Sequence, residues 1–551
     1  MKRICLLLLL ITSNLIVFSQ SQRLVMVEHF TQASCGPCVQ PNITIHNLMV
    51  QHPDKFTIIN FHTSWPGVDP MNAHNPQEVA ARVSLYGINY VPQSAVEGDY
   101  YVGAPTGWTN MNIINERYQV PSPFELSINQ RISNDTIFVT MLVHATAEVT
   151  GPVSAYMGII EKHIHFNNAP GSNGEKDFYN VFKKMLPTKT GIELPTPMSA
   201  GDYVVIESYW KMANVYNVDQ LSVVSYLQNP TSKEMFQAGN MQEEPIEAVY
   251  ENDAEITTVE NMPEKMCLTS FRPQIKIRNN GNNVLQSMAI KYRINDGEFI
   301  NYDWTGNLPL FKSESILLPE IDFTLEENNN LEVYIETLNG GDDDYTKNDT
   351  LIYEFTPSFQ VGSTLELRIR TDNAPAETTW AIINSEGQTV ASGGPYTETG
   401  EWISEEITIS DDDCYDFYIY DAGGNGLCCG NGAGLFRLAP PSGNPIIAQG
   451  TTFGTSVTAQ FEVSTVNTET IDINKDVKIF PNPASDRFTI KTSDQQSSDI
   501  SITNLTGQVV YQTSKVKGSV EVSTDNWPVG IYVISVTNNY GESYHKMQVT
   551  R

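Results

Sequence analysis

From Pro121 onward the chain alternates apolar and polar residues with period two. Phe124, Leu126 and Ile128 are spaced this way, as are Ile137, Val139, Met141 and Val143. Successive side chains of a strand point to opposite faces, so the pattern predicts half-buried strands packed as a β-sandwich. Residues 203–209 and 221–227 read as further strands, and helical signal here is confined to 175–185. Beyond an acidic, proline-containing joint near 243–247, strands are expected at 274–278, 288–294, 315–318 and 331–337. The turns between them, 279–283 and 339–341, are rich in Asn and Gly. Strand count and turn spacing make this stretch immunoglobulin-like. Another set follows at 365–370, 380–384, 402–409 and 415–420, then a Thr/Asn/Asp-rich linker and a last module of strand and turn.

The segment before Pro121 has a different texture. Residues 24–30, 56–61 and 93–97 read as strands, and 77–85 as a helix. Strands alternating with helices predict an α/β layer. The chain is therefore expected to be multidomain, an α/β unit followed by several all-β modules. Its 551 residues fit about three to five domains.

Lys2 and Arg3 precede an apolar run, and small Ser19 offers a cleavage position, which predicts a secretory signal peptide over 1–19. The run is too short and interrupted to span a membrane well, and no later stretch reaches that length. Removing it takes Cys5 and leaves Cys35, Cys38, Cys267, Cys414, Cys428 and Cys429, an even set suited to disulfides in an exported chain. The formal charge of -31 argues against nucleic acid as a partner.

Cys35-Gly36-Pro37-Cys38 follows an apolar strand and opens a helix. Two cysteines three apart close a small disulfide, and a helix N-terminus favours a thiolate on the first. Cys35 is then the attacking, more exposed and more acidic sulfur, and Cys38 resolves the mixed disulfide. A zinc site would want a second pair of ligands, and no second Cys-x-x-Cys exists. Tyr86-Gly87-Ile88-Asn89-Tyr90-Val91-Pro92 ends one predicted helix and starts a strand.

With the Cys-Gly-Pro-Cys, this segment resembles the thioredoxin superfamily over residues 24–110. The resemblance implies that Val91–Pro92 is a cis peptide beside Cys35, with backbone that pairs with substrate. Three features depart from that pattern: an insertion around 65–75, Ser34 in place of the usual tryptophan, and His29 near the place of the usual buried acid. Residues 121–240 end in Val223-Val224-Ser225-Tyr226-Leu227-Gln228 and Lys233-Glu234-Met235-Phe236-Gln237-Ala238. They are similar to outer-membrane-associated proteins that join a thioredoxin-like domain to a β-sandwich.

Other residues carry weaker signals. His163 and His165 alternate on one strand face, with Met185 and Met198 downstream. They suit a soft metal, but surface histidines and core methionines are the preferred reading, so no metal site is expected. Asp421-Ala422-Gly423-Gly424-Asn425-Gly426-Leu427-Cys428-Cys429-Gly430 has some character of a calcium loop, although a tight disulfide-stapled loop is preferred. Cys414 is expected to bridge to Cys428 or Cys429, the remaining cysteine being free or reaching Cys267. No cofactor is expected beyond that calcium possibility. The acid runs 342–344 and 411–413 read as solvated turns.

The last 76 residues hold Pro481, Asn482 and Pro483 after Phe480, then Gly507 in Asn504-Leu505-Thr506-Gly507-Gln508. Gly530 and Tyr532 follow in Pro528-Val529-Gly530-Ile531-Tyr532, and Lys546 in Lys546-Met547-Gln548-Val549. In this order they resemble the C-terminal sorting domain of type IX secretion cargo. That family implies a small β-sandwich recognised by the type IX machinery at the outer membrane, and a product on the outer surface or outside the cell. The expected division is 1–19 signal peptide, 20–120 thioredoxin-like, 121–240 sandwich, 241–357 immunoglobulin-like, 358–463 stapled β module, 464–475 linker and 476–551 sorting domain. Two functions fit: thiol–disulfide exchange on exported protein thiols through Cys35 and Cys38, or surface binding with the cysteine pair as a permanent staple.

Overall fold

Strand Val25–Thr31 is buried at every residue, so both of its faces are covered. It runs parallel to Phe56–His62 and antiparallel to Gln93–Val96, which pairs antiparallel with Tyr101–Gly103. Helix Val39–Gln51 makes the crossover between the two parallel strands. This is a computed structural model describing residues 20–464, 477–492, 497–538 and 541–550. The expected signal peptide and all of the linker except Ser464 lie outside the described residues.

Helix Pro76–Tyr86 starts where the sequence supplies a cap. The Asn75 side chain accepts from the Glu78 N–H, and Pro76 lacks the donor that a first turn leaves idle. Gly87 ends it with φ +63°, a conformation glycine adopts without steric cost. The helix carries Arg82 onto the sheet, where it forks onto Glu28 at 2.7 and 2.6 Å. Tyr86 adds its hydroxyl to Glu28 at 2.5 Å, and Gln228 accepts from Arg82 at 3.2 Å. A buried charge pair is tolerable only when its remaining hydrogen-bond positions are filled, as here.

The expected boundary at 120/121 does not separate two sheets. Phe56–His62 meets Asp177–Leu186 in parallel at Asn60 and Val181, and the same sheet continues through Ser154–His165, Leu221–Gln228 and Met235–Asn240. A second, three-stranded sheet of Phe124–Ser133, Thr136–Ala145 and Tyr203–Lys211 covers one face of this extension. Period two divides the residues of Leu221–Gln228 between two cores. Leu221, Val223 and Leu227 join the sandwich core, whereas Val224 and Tyr226 join Val79, Tyr86 and Ile59 beneath the helix. Gly158 lets strands approach, since a Cβ there would lie 2.6 Å from Ile59 Cδ1.

The helical signal at 175–185 is corrected to strand Asp177–Leu186. That strand has neighbours on both edges, and its middle, Asn180–Lys183, is buried on both faces, so the alternation is lost there. Its Lys183 is buried too, 2.9 Å from Glu161.

The remaining modules each pack two main sheets around their own core, the first with an added two-stranded ribbon of Ser270–Phe271 and Ile321–Asp322. Met288, Tyr292, Leu331 and Val333 centre one, and Leu367, Phe417, Phe436 and Phe461 the next. Phe488, Ile502, Ile534 and Met547 centre the last. Mostly β, multidomain and immunoglobulin-like in its sandwiches, the chain follows the alternation of its sequence.

The disulfide pattern differs from expectation. Cys414 pairs with Cys267, and Cys428 pairs with its neighbour Cys429. Cys414 opens strand Asp413–Asp421, and the loop bearing Cys428 leaves from the far end. Seven residues of strand separate them by about 23 Å, which no disulfide spans. The loop is held instead by the Asp421 carboxylate, which accepts from the Asn425 and Gly426 N–H groups at 2.8 and 3.0 Å.

Candidate active site

The buried strand Val25–Thr31 delivers the chain to Cys35, which is extended (φ −90°, ψ 104°). Gly36–Cys38 then makes one 3₁₀ turn into helix Val39–Gln51. Cys35 and Cys38 are bridged, with Cα atoms 5.4 Å apart. Val91–Pro92 is cis, and the Val91 carbonyl oxygen lies 3.6 Å from Cys35 Sγ. Cys35 is 2% exposed and Cys38 0%. Their order of exposure is the expected one, but the disulfide is covered.

Two segments make the cover. The insertion around 65–75 contributes Asp69, whose carboxylate accepts from the Ala33 N–H at 2.7 Å and pairs with His62 Nδ1 at 2.7 Å. Its other oxygen caps the short helix Pro70–His74 through Met71 and Asn72. Ser34 sits beneath this insertion and donates to the Val68 carbonyl at 2.8 Å. A tryptophan there would collide with Gly67, whose own Cβ position is only 2.6 Å from Ser34 Cβ. The second segment is the loop 166–176, from the sandwich half. Asn173 donates to the Cys35 carbonyl at 3.3 Å, and Ser172 N–H reaches Ser34 Oγ at 3.2 Å.

Beneath the pair runs a partly buried polar chain. Asn42 Nδ2 donates to the Glu175 carboxylate at 3.0 and 3.2 Å, which orients its Oδ1 toward His29. His29 Nε2 therefore carries the proton given to Asn42 at 3.0 Å, and Nδ1 accepts from Ser94 at 2.9 Å. Burial pushes the His29 pKa down to about 4 against the bond to Asn42, so the ring is neutral. Burial also raises Glu175, against the amides of Asn42 and Asn173. Asp69 stays low despite burial, because His62 and the backbone N–H groups of Ala33 and Asn72 favour its charge. The sequence offered Cys35, Cys38, Pro92 and His29. It held no motif for Asn42, His62, Asp69, Asn173 or Glu175.

Elsewhere, Met185 and Met198 are buried in cores, away from a metal role with the histidines. Asp343 and Asp344 are not simple solvated turns, since they accept from the Ala254 and Asn252 N–H groups.

Among the expected sorting residues, Asn482 meets Lys546 in the last module. Asn482, between cis Pro481 and cis Pro483, donates to the Lys546 carbonyl at 2.8 Å and accepts from Gln548 N–H at 2.9 Å. Tyr532 donates to the Pro528 carbonyl at 2.7 Å, and Gly507 closes its turn at φ +83°. Residues 478–550 match the family described as the secretion system C-terminal sorting domain. The last module is a type IX sorting domain. The chain is thus cargo for export to the cell surface or the extracellular space.

Two curated relatives match over short stretches. An ulvan lyase of Nonlabens ulvanivorans is 36% identical over 69 residues, 12% of this chain and 13% of the relative. An endo-acting ulvan lyase of Formosa agariphila is 27% identical over 77 residues, 14% of this chain and 15% of the relative. The chain therefore spans only 13% and 15% of these relatives. Among solved structures, HBP35 of Porphyromonas gingivalis is similar at 14% identity and TM-score 0.34, covering 61% of this chain and 98% of that one. The BSP domain of a biofilm-associated protein is similar at 10% identity and TM-score 0.15, covering 78% and 96%. Among the described residues no helix is long and apolar enough to cross a membrane.

Proposed function

We propose that this sorting-domain cargo is a thiol–disulfide exchange protein with a thioredoxin-like N-terminal unit, acting through Cys35 on thiols of exported proteins. The observation that carries the reading is the Cys35–Cys38 disulfide at a helix start, 3.6 Å from the carbonyl that precedes a cis proline. A substrate thiolate attacks Cys35 Sγ, forming a mixed disulfide and releasing Cys38 as thiolate. A second substrate thiolate then attacks the substrate sulfur of that mixed disulfide. The substrate leaves oxidised, and the cysteine pair leaves reduced. Helix-end N–H groups stabilise the departing Cys35 thiolate. The fold places strands and helices in the order that a thioredoxin-like unit needs, which supports the assignment over residues 20–120, with 121–240 extending its sheet.

A second reading rests on the 2% exposure of Cys35. A pair so covered suits a static staple in a surface-binding protein. Trapping separates the two. In full-length Cys38→Ser, displayed on the producing cells, the lone Cys35 thiolate should attack disulfides of oxidised partners, the reverse of the exchange above, and accumulate mixed disulfides that no Cys38 resolves, whereas Cys35→Ser should not. Failure of Cys38→Ser to trap any disulfide-bearing partner would sink the exchange reading in favour of the staple.

A further inference from the structure

The loop end of the hairpin made by Ser154–His165 and Asp177–Leu186 holds a second cluster. Strand Leu221–Gln228 stops pairing at Glu161, so residues beyond it project past the sheet. His163 and His165 are two apart and share a face, and the register sets His165 opposite Asp177. Asp177 Oδ1 receives His163 Nε2 at 2.9 Å and His165 Nδ1 at 2.8 Å. The three ligand atoms lie within 4.8 Å of one another, and no other such group occurs among the described residues. The cluster is preorganised on its inner side. His163 stacks on Tyr179 at 4.9 Å, and Tyr179 stacks on His46 of helix Val39–Gln51 at 3.5 Å. On its outer side the three side chains are 41%, 54% and 45% exposed, which leaves room for an ion to enter.

We propose that His163, His165 and Asp177 bind one zinc ion with a fourth position open to water or an anionic ligand. Two imidazoles and a carboxylate are borderline donors that suit zinc, and three protein ligands are the number that leaves a tetrahedral ion an exchangeable site. The nitrogens now turned to Asp177 would supply the lone pairs, their protons moving to the outer ring nitrogens. The bound site carries one net positive charge on a chain of formal charge -31, so it concentrates anions at one point of an acidic surface. The histidines lie at the surface, as expected from the sequence; what that reading did not include is Asp177 between them.

The test titrates the oxidised full-length chain with zinc alone by calorimetry, in a buffer free of chelators near neutral pH. One equivalent should bind. His165→Gln and Asp177→Asn should each weaken binding at least roughly tenfold, a loss in line with metal-ligand removal. Cobalt in place of zinc should give a ligand-field spectrum of a four- or five-coordinate ion that the same variants abolish. Both positions are half exposed, and equal unfolding midpoints in chelator would show intact folds. No binding up to about 1 mM zinc, a free energy no better than about −4 kcal/mol, overturns the proposal. So does binding that survives both substitutions unchanged.

Discussion

His29 shows how a single position couples the site to stability. The ring is fully enclosed, and its burial lowers its pKa from 6.5 to about 4. Between those values the unfolded chain binds a proton that the folded chain refuses. Stability is therefore present above about pH 6.5 and lost as pH falls toward 4. The size is roughly 2–3 kcal/mol between pH 7.5 and 4.5, since each tenfold change in proton affinity is worth about 1.4 kcal/mol. His29→Gln keeps a polar group beside Asn42 and removes this share. Urea unfolding of the region 20–240 at both pH values should show the variant losing less stability on acidification. Parallel losses in variant and parent would refute the assignment. His74 has the same direction, lowered to about 4 by burial and Lys183, so part of the slope should survive in the variant. Position 29 was visible in the sequence as a departure from the thioredoxin pattern. Its partner chain was not, because Asn42 and Glu175 are 133 residues apart and no motif announces either.

At the scale of elements, period two served well where one face of a strand is wet. Phe124–Ser133 and Thr136–Ala145 lie where alternation put them. It failed at Asp177–Leu186, where only the first residues alternate and the stretch Asn180–Lys183 is buried without a break. The sheet also crosses the boundary expected at 120/121. Composition changes there, but the sheet continues through long-range pairing that local sequence does not encode. The loop 166–176 is a consequence of that continuity, since it brings Asn173 from the sandwich half onto Cys35. Reaching the disulfide requires this loop to lift. Asn173→Ala removes donors to the Cys35 and Gln32 carbonyls and to Glu175. Three bonds at about 0.5–1.5 kcal/mol each sum to at least roughly 1.5 kcal/mol, so opening should become at least about tenfold more frequent. The rate at which glutathione reduces Cys35–Cys38 should rise by the same factor. An unchanged rate would mean that the insertion around 65–75, through Asp69 and Val68, is the true cover.

For the whole molecule, the modules divide into a linked body and a detachable end. Tyr203 donates to Asp253 at 2.5 Å and Lys347 meets Asp202 at 2.6 Å, joining the first sandwich to the next module. Cys267–Cys414 then fastens that module to the following one across a separation of 147 residues. A loop of that length is worth about 5 kcal/mol in the chain-entropy model, so the body behaves as connected parts. The sorting domain differs. Its core of Phe488, Ile502, Ile534 and Met547 includes no residue from before Val477. The isolated bridge from Ala484 to Val549 closes the domain on itself. Ending the chain after Ser464 should therefore leave the body folded, with an unchanged unfolding midpoint, yet undelivered. Protease added to intact cells should digest the full-length protein at the surface and spare the truncated one, retained in the periplasm. The two readouts separate causes, because a truncated protein that is both misfolded and retained would point to lost stability. Surface digestion of the folded, truncated body would mean that an address lies outside residues 478–550, against the sorting role assigned to them.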